Sequence, residues 1–280
     1  MHYPEQNPLL DAIRNHVRMW EVGPAIDQWI ADIVTEVTSI GAPIDLTKVA
    51  KKFGISAIEY GPIPCEGTIE PTDSESYRVR INSCSPPSRQ RFSLAHEIAH
   101  AMLYSLLPEL KQFSTRSVFV PPSGKVEERL CDDIAGRLLM PQKILLDEFS
   151  GFSIGLSLIT EMSQRFASSA SASVIRVRQV SGVDLALFRM TENESDGLSF
   201  DGCLVNFDSK VIRTRLGDRL VDALIDWRDV DANVSSTTGW VWFQQENVRR
   251  RLFVQKSSVK SRLGQRISLA GKVDFSARQL

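Results

Sequence analysis

The stretch His96-Glu97-Ile98-Ala99-His100 limits the fold of this chain more than any other feature. Two histidines four residues apart lie on one face of a helix, about one turn from each other, and can bind one metal ion together. Glu97 is then placed to act on a water molecule at an open coordination position. The chain has four histidines, and two are in this motif. The sequence therefore predicts a helix that carries half of a zinc site and its general base.

A third ligand is expected elsewhere in the chain, because a catalytic zinc site usually takes three protein ligands. The candidates lie on a second predicted helix downstream. Apolar residues repeat at helical spacing between residues 130 and 138, and Pro141 would end such a helix. The acids that precede and begin this pattern are the candidates for the missing ligand.

Four acids belong to this second helix. Glu128 is predicted as the third ligand, with Glu127 as its main rival. Asp132 shares a helix face with Glu128 and could accept a hydrogen bond from the far nitrogen of a ligating histidine. The alternative is that the acids form a solvated face, which is the interpretation we favour for Glu127 or Asp133.

Composition places the chain among ordinary globular proteins. It has 280 residues, of which 42% are hydrophobic and 24% charged. It contains no run of 18 apolar residues and begins with no recognisable signal peptide. Its four cysteines are widely spaced, which argues against a disulfide framework or a cysteine-based zinc site. We expect a soluble cytoplasmic protein with no membrane segment.

Charge is unevenly distributed along the chain. Residues 247–280 contain nine Lys or Arg and one acid, a net charge of +8, so residues 1–246 must carry −9 to give the overall −1. Such asymmetry can mark a nucleic-acid surface. A solvated strand face and tail is the interpretation we favour.

Periodicity and capping residues predict the remaining elements. Predicted helices are an amphipathic helix from Pro24 to Gly41, a short helix at 46–53 capped by Asp45, the HExxH helix at 89–106 and a helical pair at 156–166 and 170–180. Predicted strands lie at 55–60, 67–70 and 77–82. Beyond them we expect a linker or long hairpin at 191–202, apolar runs at 203–207 and 239–243, a helical run near 216–227 and a basic strand near 249–256.

Two segments resemble the ImmA/IrrE family of metallopeptidases. They are Arg-Phe-Ser-Leu-Ala-His-Glu-Ile-Ala-His at residues 91–100 and Glu-Arg-Leu-Cys-Asp-Asp-Ile-Ala-Gly-Arg-Leu-Leu-Met-Pro at residues 128–141. The resemblance extends over about residues 25–180. Residues 186–280 match no family we can name.

The resemblance implies a gluzincin-like site in which His96, His100 and Glu128 bind Zn²⁺ and Glu97 is the base. It also implies a protein substrate, typically a helix-turn-helix transcriptional repressor cleaved under stress. We therefore expect a zinc-dependent endopeptidase. The alternative is a metal-binding regulatory module that binds a repressor or nucleic acid without cleaving it.

One position departs from the family pattern. Family members often have a histidine four residues after the second ligand histidine, and here that residue is Tyr104. Tyr104 could donate a hydrogen bond to a developing oxyanion, or it could be a packing residue. Tyr77 and Arg91 are further candidate donors. The strand at 77–82 is our candidate for holding the substrate backbone by strand addition, unless it is an internal strand.

These observations together predict an α+β protein. Residues 1–150 are expected to form a gluzincin-like zinc-peptidase domain, mainly helical with a small sheet. Residues 151–185 are expected to form a helical segment similar to a helix-turn-helix. Residues 186–280 are expected to form a smaller, mixed or β-containing domain that regulates or targets the protease.

Overall fold

A computed structural model of the chain describes residues 7–37, 41–72, 76–107, 124–152, 156–182, 185–193, 197–206, 237–245, 248–261 and 264–274. The chain forms two compact units: residues 1–151 with 162–169, and residues 152–161 with 170–280. No helix within the described ranges is both long and apolar enough to cross a lipid bilayer. The domain boundaries expected from the sequence stay a prediction.

The first unit combines helices with a small sheet, which agrees with the α+β class. Its helices are α1 (Pro8–Val17), α2 (Val22–Val37), α3 (Leu46–Lys52), α4 (Pro87–Leu106), α5 (Gly124–Leu139) and α6 (Gln142–Phe149). Its strands are β1 (Ile55–Gly61), β2 (Gly67–Pro71) and β3 (Tyr77–Asn82). Helix α7 (Leu156–Arg165) contributes its last residues to this unit.

Local signals explain where several helices begin. The Asn7 side chain accepts a hydrogen bond from the backbone N–H of Leu9 at 3.0 Å, and Pro8 follows it in the first turn of α1. Asp45 does the same for α3, accepting from the backbone N–H groups of Thr47 and Lys48. The predicted cap at Asp45 is confirmed, whereas α1 was not predicted.

The small sheet has the strand order β1-β3-β2. β1 pairs with β3 in parallel, and β2 pairs with β3 in the antiparallel direction. Tyr77, Val79 and Ile81 alternate along β3 and are buried, as expected for one face of a strand against a core. The strand at 77–82 is therefore internal, and its prediction as the edge that holds a substrate is wrong. Within the described sheet, β2 lies at an edge.

Helices α4 and α5 pack against each other and carry the candidate site. The apolar residues Ala95, Ala99 and Met102 of α4 are fully buried. On α5 the buried apolar positions are Leu130, Cys131, Ile134, Ala135, Leu138 and Leu139. The polar face of each helix is thereby oriented toward the acids and histidines of the other.

Arg137 fixes α5 to α2. Its guanidinium donates to Asp133 on the same helix at 3.0 Å, to the backbone carbonyl of Gly23 at 3.0 Å and to the carboxylate of Asp27. Asp133 is 4% exposed. The expectation of a solvated Asp133 is therefore wrong. Helical spacing places Arg137 beside Asp133, but the burial of this pair depends on packing against α2, which the sequence pattern does not show.

The second unit contains most of α7, α8 (Ala170–Ser181) and a five-stranded antiparallel sheet. Its strands are β4 (Leu185–Asn193), β5 (Gly197–Asn206), β6 (Thr237–Gln245), β7 (Val248–Ser261) and β8 (Gly264–Asp274), in the order β5-β4-β8-β7-β6. The described residues of the segment 191–202 pair with one another in β4 and β5, which is the hairpin alternative of the prediction. The helical run predicted near 216–227 lies outside the described residues.

Candidate metal centre

Helix α4 presents three rings in a row along one face. His96, His100 and Tyr104 follow one another at intervals of four residues, which brings successive side chains together on a helix. The ring centroids of His96 and His100 are 5.0 Å apart, and those of His100 and Tyr104 are 5.9 Å apart. The row runs from the exposed end of the site toward its buried end, since Tyr104 is only 5% exposed.

Helix α5 places three acids opposite this row. Asp132 lies 3.0 Å from Nδ1 of His96, and Glu127 lies 3.0 Å from Nδ1 of His100. The carboxylate of Glu128 lies between the histidines, 3.2 Å from Nε2 of His96 and 3.5 Å from Nε2 of His100. Each imidazole thus has one nitrogen directed at Glu128 and the other at a separate carboxylate.

This arrangement suits a metal ion. One ligand atom each from His96, His100 and Glu128 can be chosen so that all three lie within 4.8 Å of one another. Two imidazole nitrogens and one carboxylate oxygen are a usual donor set for zinc, with room for one more ligand. Glu127 meets Nδ1 of His100, the nitrogen turned away from Glu128.

The surrounding charges favour a cation at this position. Burial alone lowers the pKa of His96, but hydrogen bonds with Asp132 and Glu128 outweigh burial and raise that pKa to about 9. The hydrogen bond with His96 holds the pKa of the Glu128 carboxyl below its usual value. The carboxylates therefore stabilise positive charge between the two helices.

Glu97 packs against strand β2 of the small sheet. It is 7% exposed, and burial raises the pKa of its carboxyl, while the two nearby imidazoles oppose that shift. A Cβ atom at position 67 would lie 2.7 Å from Oε1 of Glu97 and 3.2 Å from its Cγ. Gly67 on β2 therefore leaves the space that this carboxylate fills.

A cleft of about 390 Å³ opens over these groups. Its walls are formed by the edge strand β2, the first half of α4 and the acids of α5. The lining residues are Glu66, Gly67, Thr68, Ile69, Arg89, Phe92, Ser93, His96, Glu97, His100, Glu128 and Asp132. The three candidate ligands and Glu97 thus border one open space beside a strand.

The three candidate hydrogen-bond donors to an oxyanion all have contacts with other groups. Arg91 donates to the backbone carbonyl of Ile44, and the buried ring of Tyr77 packs against Tyr104 with centroids 5.9 Å apart. The Tyr104 hydroxyl lies 3.5 Å from Nδ1 of His100, and burial raises the pKa of Tyr104 well above its usual value. Its predicted role as an oxyanion donor stays a prediction.

Two features of the site were not found from the sequence. Glu127 is largely buried, with 13% of its side chain exposed, although a solvated position was expected. Its only signal is that it lies on α5 one residue before Glu128. Gly67 gave no signal, because its contact with Glu97 depends on how β2 packs against α4.

Part of the chain is similar to known proteins. Residues 50–178 match the family described as the IrrE N-terminal-like domain. The chain is similar to the radiation response metalloprotease IrrE of Deinococcus radiodurans, with 32% identity over 105 residues, 36% of this chain and 31% of that protein. It is also 32% identical to the same-named protein of Deinococcus deserti over 130 residues, 45% of each chain. The matches thus span less than half of these relatives.

A solved structure resembles the chain in fold. It is a Mycobacterium tuberculosis transcriptional regulator, with a TM-score of 0.50 and 13% identity over 96% of this chain and 93% of that one. The match to the IrrE N-terminal-like domain supports a domain of the metallopeptidase class. Residues 50–178 therefore match a domain of the ImmA/IrrE family, and the rest of the chain lies outside that match. The family implies a bound metal, and the donor set described above fits one.

Proposed function

We propose that this chain is a zinc-dependent endopeptidase that cleaves a protein partner. The observation that carries the proposal is the convergence of His96, His100 and Glu128 beside a buried Glu97 in one cleft. Metal-dependent hydrolysis of a peptide bond needs a metal ligand set, a proton carrier and access for the substrate, and residues suited to these roles occur together at the cleft.

The three ligands define what the centre would hold. His96 and His100 would bind Zn²⁺ through Nε2, and Glu128 through a carboxylate oxygen. Zinc bound in this way polarises a carbonyl and acidifies a water molecule. The same ligands can accept Mn²⁺ or Fe²⁺, since selectivity depends partly on supply. Elemental analysis of protein purified without added metal tests the choice: one equivalent of zinc is expected, and one equivalent of another metal would refute it.

Glu97 is assigned the movement of the proton. Its carboxylate borders the cleft next to both ligand histidines, so it can accept a proton from the attacking water and deliver it to the leaving amine. Its packing against Gly67 limits the positions that the carboxylate can take. Glu97 is therefore proposed as the general base and then the general acid.

Strand β2 is assigned the substrate backbone. It pairs with β3 on one side only within the described sheet, and its residues 67–69 line the cleft. An extended peptide can add to such an edge through main-chain hydrogen bonds, and pockets for its side chains then give specificity. We therefore assign to β2 the binding of the substrate backbone that the sequence led us to expect for the strand at 77–82.

The substrate class rests on the family resemblance. Members typically cleave helix-turn-helix repressors, and both Deinococcus relatives are named radiation response metalloproteases. We accordingly propose a helix-turn-helix repressor as the partner and a stress signal as the trigger. Residues 186–280 are assigned a regulatory or targeting role.

Replacement of Glu97 by Gln tests the catalytic proposal. The variant should bind one equivalent of zinc, but its cleavage of a helix-turn-helix repressor that the unchanged chain cleaves should fall about 100-fold or more. Glu21→Gln, at an exposed residue before α2, is the matched control and should cleave normally. Normal cleavage by Glu97→Gln would refute the role of Glu97.

The second candidate is a regulatory module that binds its partner without cleaving it. The +8 charge of residues 247–280 and the similarity in fold to a transcriptional regulator favour it. Incubation of the chain with the repressor, with and without a chelator, separates the two functions. Metal-dependent fragments support the peptidase, whereas an intact repressor in a tight complex supports the module.

A DNA-binding form of this module has its own test. Replacement of Arg249, Arg250 and Arg251 by Gln should weaken binding to DNA and reduce its dependence on salt. Fewer phosphate contacts form, so fewer counterions are released on binding. An unchanged salt dependence would assign these arginines to a solvated surface.

A further inference from the structure

Glu127 has an environment different from that of its neighbour Glu128. Its side chain is 13% exposed, whereas that of Glu128 is 60% exposed and borders the cleft. A buried carboxylate is stable only when hydrogen-bond donors compensate for the loss of water. The partners of Glu127 therefore show what its burial achieves.

One partner of Glu127 is His100. Nδ1 of His100 lies 3.0 Å from Oε1 of Glu127, while its Nε2 faces Glu128 at 3.5 Å. A carboxylate accepts but does not donate, so the hydrogen on Nδ1 points to Glu127. With the proton held there, the lone pair of Nε2 is available on the side of the metal ligands.

Tyr104 lies next to this contact. Its hydroxyl is 3.5 Å from Nδ1 of His100, and burial, followed by the charge of Glu127, raises the pKa of Tyr104. Tyr104 is buried, so its contact with His100 is shielded from bulk water. His100 and Tyr104 come from successive turns of α4, and Tyr104 thereby limits the positions that the His100 ring can take.

The equivalent contact of the other histidine is exposed. Asp132 lies 3.0 Å from Nδ1 of His96, but 57% of its side chain is accessible. Water can replace an exposed acceptor at little cost, whereas a buried donor that loses its acceptor stays unsatisfied. The two carboxylates should therefore differ in their effect on the centre.

We propose that Glu127 is the principal positioning residue of the metal centre: together with Tyr104 it holds His100 in the orientation and tautomer that present Nε2 to the ion. This inference rests on the proposed function, because it needs a metal at His96, His100 and Glu128. Replacement of a carboxylate that orients a ligand histidine typically lowers metal affinity by about 10–100-fold.

Zinc affinity of the full chain tests the proposal by competition with a chromophoric chelator. Glu127→Gln keeps an acceptor oxygen but loses the charge, and should weaken binding about tenfold; Glu127→Leu loses both and should weaken it by up to about 100-fold. Asp132→Asn should cost less than about threefold. Asp147→Asn, at an exposed acid of α6, controls for loss of one negative charge.

Imidazole nitrogen chemical shifts give a readout that a purely structural role would not change. In the zinc-loaded chain, Nδ1 of His100 should carry the proton and Nε2 should bind the metal. Glu127→Leu should lose this preference while the circular dichroism of the metal-free protein stays unchanged. If that variant is unfolded without metal, the milder Glu127→Gln provides the comparison.

The outcomes separate this inference from the proposed function. Failure of the unchanged chain to bind zinc would overturn both. Zinc binding and cleavage by the unchanged chain, with affinity within about threefold in Glu127→Leu, would overturn only the role of Glu127. A greater loss in Asp132→Asn than in Glu127→Gln would also overturn it.

Discussion

The contact between Gly67 and Glu97 links stability and activity at the scale of single residues. The three atoms nearest to a Cβ at position 67 would all belong to side chains. They are Oε1 and Cγ of Glu97 and, at 3.3 Å, Cδ1 of Ile81. The end of a flexible side chain can move at little cost in folding free energy. The same movement takes the proposed base away from its working position.

Gly67→Ala should therefore reduce activity far more than stability. We expect cleavage to fall about 10–100-fold, because displacement of a catalytic group by about 1 Å can cost that much. The midpoint of thermal unfolding and the zinc content should change little. Gly61→Ala, at a strand glycine with nothing within 4 Å of its Cβ position, is the control and should keep full activity. Equal activities of the two variants would contradict the prediction.

The sequence predicted the residues whose spacing is set by one helix. His96, Glu97 and His100 required only the periodicity of α4. Glu128 was predicted as the third ligand with Glu127 as its rival, but the burial of Glu127 could not be predicted, because adjacent residues on a helix differ by about 100° in direction and the position of α4 around α5 was unknown. Gly67 depended on tertiary packing alone.

At the scale of elements, Arg137 keeps the helix that carries Glu128 against α2. Replacement by Leu removes a guanidinium bonded to Asp27, Asp133 and the carbonyl of Gly23, and leaves the buried Asp133 without its charge partner. We expect a loss of about 3–5 kcal/mol in the free energy of unfolding, measured by urea titration. Arg78→Leu, which removes an exposed pair with Glu59, should cost much less. Similar losses would show that the buried network does not fix α5.

Asp45 makes the stability of α3 depend on pH. The hydrogen bond from the Thr47 hydroxyl, followed by backbone hydrogen bonds, holds the pKa of Asp45 below its usual value of 3.8. A lowered folded-state pKa means that the contribution is present above pH 3.8 and is lost as pH falls through the folded pKa. Asp45→Asn should keep the cap but remove this acid-dependent part, while Asp45→Ala should cost about 1 kcal/mol at neutral pH. Thermal midpoints between pH 2 and 7 measure both effects. If the midpoint of Asp45→Asn falls in acid as much as that of the unchanged chain, the acid dependence does not come from Asp45.

Elements with strong local signals were predicted well. The amphipathic helix at 24–41, the HExxH helix and the helical pair at 156–180 correspond to α2, α4, α7 and α8, although α2 begins two residues earlier. Strand positions were also predicted, but the strand order was not. β3 joins β1 in parallel and β2 in antiparallel pairing, and an alternating pattern cannot state which strands are neighbours.

At the scale of the whole molecule, the first unit extends past residue 151. Phe166 is fully buried and packs against Phe149 with ring centroids 6.1 Å apart. Arg165 forms a double hydrogen bond with Glu148 and donates to the carbonyl of Ala42. The segment 162–169 therefore completes the packing around α6.

Two fragments test this extension. Residues 1–169 should fold and bind one equivalent of zinc, whereas residues 1–151 should unfold at a lower temperature because the cavity left by Phe166 costs about 3–5 kcal/mol. Within the longer fragment, Phe166→Ala should lower the midpoint to a similar extent, and Gln164→Ala, at an exposed position, should not. Equal midpoints for the two fragments would show that residues 162–169 are dispensable.

The order of the ligands along the chain also has a consequence for its synthesis. A ribosome makes His96 and His100 before Glu128, so a polypeptide released or stalled between them holds two donors of the proposed set and lacks the third. Such a product would bind zinc weakly and would have no complete centre with which to attack neighbouring nascent chains. The proposed ligand set is therefore complete only after α5 has been translated and has packed against α4.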